Sequence, residues 1–341
     1  MSIALVGGIF LFAFPQIADL SNVWISIKEM TWIEMVTLFA AAVWNIATYW
    51  FVMVAALPGS NYWQAMKVNQ TSTAVSNTLP GGGAIAIGVT YSMYSAYGFA
   101  PGDIGLSILL TGIWNNFAKL GMPVIALAIL AIQGNATSAL MVASLAGVGL
   151  LAAAVVVFAM VLRSDRLAGR VGERAARIAG PVRKLFRKDT ATGWGEGLRR
   201  FRKDAIVLLA RRWAWLSIAS IVSHLSLFLV LLIALRHVGV SEAEVSWAEA
   251  LAAFAFVRLI SALPITPGGL GVIELGLTAA LVTAGGPRAE VVASVLVYRA
   301  LTYVLPVALG TLAYLRYKKG SAARSKRVAD AKAAAASAGP R

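Results

Sequence analysis

Six apolar stretches long enough to cross a bilayer, at residues 3–20, 32–57, 104–132, 136–162, 213–235 and 291–315, constrain this chain more than anything else in it. A span needs roughly 20 apolar residues. In hydrocarbon every backbone amide must be satisfied within the protein, so such runs take the form of helices. The composition agrees, with 59% hydrophobic and 13% charged residues against about 25% charged in soluble domains. The expected fold is an all-α integral membrane protein with no room for a large soluble domain. No basic residue precedes the run at 3–20 and no small-x-small site closes it, so it reads as a first helix rather than a signal peptide.

Two further apolar segments, residues 75–97 and 247–284, are broken by proline and glycine. The breaks are Leu79-Pro80-Gly81-Gly82-Gly83 and Pro264-Ile265-Thr266-Pro267-Gly268-Gly269-Leu270-Gly271. Proline ends a helix and glycine lets the backbone turn. Irregular backbone at membrane depth is tolerated only where protein buries it or where it lines a water-filled cavity. Both are therefore expected to be re-entrant.

Charge supplies the topology. Residues 163–212 carry fifteen Lys and Arg against five Asp and Glu, and Arg316, Lys318, Lys319, Arg324, Lys326 and Arg327 crowd the start of the tail. Basic segments mark the cytoplasmic side and attract anionic lipid. The net charge of +15 is thus read as topology, with no nucleic-acid role. Counting crossings from these anchors places the N-terminus, basic loop and C-terminus in the cytoplasm of a cell membrane, with the two breaks dipping in from opposite faces. Each half then reads as span, broken segment, span with a mid-length proline, Pro123 or Pro306. That order is an inverted repeat, the sequence pointer to a site at the bilayer midplane. The expected organisation is residues 1–162 as one membrane half, 163–212 as a basic loop, 213–317 as the second half, and 318–341 as a disordered tail.

Candidate site residues follow from cost. Glu274 sits in an apolar segment where an unpaired carboxylate would cost roughly 2.5 kcal/mol or more. Its partners in sequence are Arg258 and Arg299, either of which suits a two-pronged salt bridge or a grip on a lipid phosphate. Helix N-termini bind anions, so a helix starting near Val272 could meet a phosphate. A tight hairpin held by a structural ion pair is the other reading. Lys119 stands a turn beyond Asn115 and Asn116, so the three could face one cavity wall; the alternative is a snorkelling Lys119. His224, Asn45 and Thr48 read as interhelical contacts.

No nucleotide-binding GxxxxGK[ST], GxSxG or HExxH pattern occurs, and the chain has no cysteine and 2 histidines. The expectation is a non-enzyme with neither metal nor cofactor.

The run Leu263-Pro264-Ile265-Thr266-Pro267-Gly268-Gly269-Leu270-Gly271-Val272-Ile273-Glu274, followed by Tyr298-Arg299, resembles the signature of the lysylphosphatidylglycerol synthase transmembrane-region family. The layout agrees from Phe14-Pro15-Gln16 onward. This resemblance implies translocation of charged or glycosylated lipids between leaflets. It further implies that Arg258, the Pro267–Gly271 break, Glu274 and Arg299 are the motif positions. The aminoacyltransferase domain fused to some members has no counterpart here, and the first break departs from the family pattern in lacking a nearby acidic residue. The resulting site expectation is a lipid-binding set of Arg258, Thr266, Pro267, Gly268, Gly269, Gly271, Glu274, Arg299, Asn115, Asn116 and Lys119. The expected ligand is a phospholipid or lipid-linked sugar. Competing expectations are a non-transporting lipid-binding scaffold or accessory subunit of a membrane synthase, and, more weakly, a transferase acting on lipid-linked sugar.

Overall fold

The computed structural model describes residues 24–25, 27–79, 81–133, 138–185, 194–261 and 266–316. The helix expected at 3–20 and the tail at 318–341 lie outside these. All regular structure among the described residues is helical. Among the described residues, five helices are long and apolar enough to cross a membrane: α1 (Trp32–Ala56), α4 (Pro101–Ile132), α5 (Ser138–Arg163, within which Leu145–Arg163 is the apolar part), α7 (Trp194–Val238) and α10 (Arg288–Arg316). This is a multi-pass membrane protein.

The frame is the antiparallel pair α1 and α7, pinned at three levels. Thr37 Oγ1 meets His237 Nε2 at 2.8 Å at one end. Midway, Asn45 Nδ2 donates to Ser226 Oγ at 2.9 Å, and Thr48 Oγ1 lies 3.1 Å from the same hydroxyl. At the other end, Arg212 Nη1 donates to the Val54 carbonyl at 3.4 Å. The Asn45 and Thr48 contacts are the interhelical bonds expected of polar side chains in apolar surroundings.

Each half inserts a helical hairpin. At the Arg212 end, α1 gives way to α2 (Tyr62–Thr78), which runs back along the frame to the first break, and α3 (Gly82–Ala96) returns. Asn61 and Gln64 cap α2 reciprocally. Leu79, ahead of Pro80, is extended, as a residue before proline prefers. A Cβ on Gly82 would lie 2.5 Å from the Val75 and Ser76 carbonyl oxygens, so only glycine lets α3 fold this tightly onto α2. At the His237 end, α7 gives way to α8 (Trp247–Ile260), and α9 (Val272–Thr283) returns from the second break. These four helices have 17, 15, 14 and 12 residues, all short of the roughly 20 that a span requires. The hairpins enter from opposite ends of the frame, and their tips meet inside it.

Two expectations require revision. The first broken segment begins at Tyr62, not near residue 75, because the helix before the break is polar (Asn69, Gln70, Thr71, Ser72 and Thr73 in succession) and escapes a search for apolar runs. Residues 163–212 are not a simple loop. They contain α6 (Asp165–Leu185) and the first turns of α7, packed together and bridged by Arg202 and Asp165 at 2.9 Å. Ala168, Gly169 and Gly172 of α6 are buried, Leu167 and Val171 are exposed apolar, and Arg166, Arg170 and Arg174 form a basic exposed row. Such a helix suits the membrane–water interface.

The main core lies in the second half, where Phe254, Leu231, Leu277, Val295 and Tyr298 are buried together. It fixes α8, α9 and α10 around the second break. By contrast, Leu145, Val156 and Val157 of α5 are exposed at the periphery, as lipid-facing residues would be.

Candidate functional site

The second break is a compact polar lock. A short 3₁₀ turn, Pro267–Gly269, precedes α9. Gly268 and Gly271 take positive φ angles of +61° and +80°, the region glycine enters at least cost. A Cβ on Gly268 would also stand 2.4 Å from Tyr303 Cε2. Glu274, at the third position of α9, is 1% exposed. Its Oε2 accepts from the Gly271 amide at 2.7 Å and its Oε1 from Arg299 Nε at 2.7 Å. Thus the helix end expected to receive a phosphate is capped by the protein's own carboxylate. Arg299 reaches further, donating from Nη2 to the Gly268 carbonyl at 3.2 Å, with its guanidinium 4.7 Å from the Tyr303 ring centre. Tyr303 in turn donates to the Asn77 carbonyl at the end of α2, at 2.7 Å. The second break is thereby tied to the first.

Arg258 takes no part in this lock. It projects into a cavity of about 390 Å³ beside the breaks, walled by Asn45 and Tyr49 of α1, Asn69, Gln70 and Ser76 of α2, and Gly83 and Thr90 of α3. Thr111 and Asn115 of α4, His224 of α7, and Thr302 and Pro306 of α10 also line it, as does Ser72 of α2. Both halves therefore contribute. Buried in protein, Arg258 Nε has no hydrogen-bond partner, and neither has Gln70 Oε1 or His224 Nε2. Buried polar atoms are normally satisfied, so three unmet ones on a single cavity mark where a ligand or water belongs. Lys119, half-buried a turn beyond Asn115, shares the electrostatic field of Arg258 and His224.

In α10 a π turn, Ala300–Val304, follows Arg299 directly. The turn accommodates Pro306, which has no amide proton for a regular helical bond. Its shift in register lets one helix present Arg299 to the lock and Thr302 and Pro306 to the cavity.

A family model described as the lysylphosphatidylglycerol synthase TM region matches residues 1–310. The chain belongs to that family. No curated protein matches it. Membership in the lysylphosphatidylglycerol synthase transmembrane-region family links the chain to lipid handling.

The expected site residues separate by position. Arg258 and Asn115 line the cavity, and Lys119 adjoins it. Thr266, Gly268, Gly269, Gly271, Glu274 and Arg299 build the neighbouring turn and its lock and are absent from the cavity wall; of Pro267 only the backbone is described. Asn116 points away from the wall and is exposed. Of the two arginines weighed as partners for Glu274, the structure pairs Arg299. Sequence reasoning missed Asn69, Gln70, Thr73 and Ser76, although their helical spacing on one face of α2 was a usable signal. His224, expected to bond a neighbouring helix, instead bonds the Ser220 carbonyl of its own helix at 2.9 Å, and its Nε2 has no partner.

Proposed function

We propose that the protein is a lipid translocase, not an enzyme, in which the cavity between the two hairpins receives a phosphate-bearing headgroup on its way between leaflets. The observation that carries this reading is the unpartnered Arg258 in a polar cavity at the meeting point of the two breaks. A half-buried guanidinium whose buried Nε has no partner is costly on its own, and a phosphate oxygen answers it with a charge-assisted hydrogen bond. Both hairpins are re-entrant on this reading, α2/α3 from the cytoplasmic face and α8/α9 from the opposite one. The basic row of α6 then rests on anionic headgroups of the cytoplasmic leaflet of the cell membrane. The Glu274–Arg299 lock positions the turn and leaves the phosphate to Arg258.

The purified protein, reconstituted into liposomes with a fluorescent phospholipid and a membrane-impermeant quencher, tests the proposal. Arg258→Gln should slow transfer roughly tenfold or more, the worth of a charge-assisted hydrogen bond, while the protein remains folded. Transfer at the wild-type rate in that variant would remove Arg258 from the pathway.

A further inference from the structure

The chemistry of the cavity wall also selects a class of headgroup. Resting on the translocase reading above, we infer that the cavity takes an anionic phosphate ester whose other polar groups are hydroxyls, and excludes headgroups that carry an ammonium group.

The first argument is charge. Arg258 lies on the wall, with Lys119 close enough to act on it, and no Asp or Glu occurs among the described residues that line the cavity. The buried carboxylate of the neighbouring lock is unavailable, since one Glu274 oxygen is held by Arg299 and the other by the Gly271 amide. An ammonium entering here meets the Arg258 cation and no carboxylate, whereas a phosphate finds a counter-ion. Like-charge juxtaposition of this kind is how sites reject wrong partners.

The second argument is the sense of the hydrogen bonds on offer. His224 Nδ1 faces a carbonyl, Ser220 O, at 2.9 Å and must therefore donate to it. In the neutral ring that leaves Nε2 with a free lone pair, on a side chain only 6% exposed. Gln70 Oε1 is likewise an unmet acceptor on a 5% exposed residue. The hydroxyls of Ser72, Thr111 and Thr302 have spent their protons on carbonyls of their own helices, at 3.0, 2.8 and 2.7 Å. Each retains only acceptor capacity. The wall thus offers the Arg258 cation to a phosphate and neutral acceptors to hydroxyl protons, a combination that suits a glycerol- or sugar-bearing phosphate. This choice runs opposite to the cationic lipid in the family's name.

The test uses the full chain in phosphatidylcholine liposomes with acyl-labelled phosphatidylglycerol, phosphatidylethanolamine or lysylphosphatidylglycerol. Phosphatidylglycerol should cross at least about tenfold faster than the other two, the ratio for 1.4 kcal/mol. Asn115→Asp, and independently Thr111→Asp, places a carboxylate on the wall and should bring the rates to within about threefold of each other. Equal wild-type rates for the three lipids would overturn the inference. If no probe crosses, the translocase reading fails, and retention then decides headgroup choice. Native mass spectrometry after incubation with equimolar phosphatidylglycerol and phosphatidylethanolamine should show the former retained, and equal retention would refute the selection. Soluble glycerol 3-phosphate should leave the bound lipid in place; its displacement of the lipid would assign the site to a water-soluble ester and overturn the lipid assignment.

Discussion

Two arginines 41 positions apart in the chain, the half-buried Arg258 and the buried Arg299, face opposite situations, and their substitutions should behave oppositely. Arg299 is bonded to Glu274 and to Gly268. Glu274→Gln keeps an acceptor for the Gly271 amide but strands a buried guanidinium. Removing one member of a buried pair costs about 3–5 kcal/mol, so the variant's thermal midpoint in detergent should fall well below that of the wild type. Arg258 has no such partner. Arg258→Gln should be as stable as the wild type or about 1 kcal/mol more stable, since natural proteins hold functional groups at the expense of stability. A midpoint series on the two variants distinguishes these outcomes. The sequence made Glu274 legible through the cost of its charge, and both arginines with it. Which arginine paired was not legible, because it depends on how α8, α9 and α10 pack around the second break, which brings Arg299 to Glu274 and leaves Arg258 on the cavity.

Among elements, α2 was the least visible in the sequence and contributes most to the cavity. Its polar run resembles a loop until a wet cavity is supplied for it to face, and apolar periodicity cannot reveal such a helix. The fifteen basic residues of 163–212 concealed α6 in the same way, since charge marks a side of the membrane without specifying backbone form. Packing then holds α2 in place. A Cβ on Gly310 of α10 would lie 2.0 Å from the Gln70 carbonyl and 2.7 Å from Ala74 Cβ. Gly310→Ala should therefore force the two helices apart at a cost of about 1–3 kcal/mol, measurable as a lowered unfolding midpoint. Lipid transfer should slow as well, because the Tyr303–Asn77 tie lies between the same helices.

Across the molecule, charge parity in the sequence led to the expectation of hairpins dipping from opposite faces, and the structure attaches the two hairpins at opposite ends of the α1–α7 pair. The absence of cysteine makes this directly testable. Ala100, between α3 and α4, and Ala243, between α7 and α8, are both exposed. Single Ala100→Cys and Ala243→Cys variants should be labelled by an impermeant maleimide from opposite sides of sealed vesicles, Ala100→Cys from the side that also labels Arg174→Cys. Labelling of all three from one side would refute the inverted arrangement. The tie between the two tips has a different consequence. Tyr303 reaches the main-chain carbonyl of Asn77, and Arg299 that of Gly268. A carbonyl is present whatever residue supplies it, so position 77 is free to drift while the tyrosine opposite it is not. Comparison of related sequences for paired substitutions would therefore pass over this contact between the tips of the two hairpins.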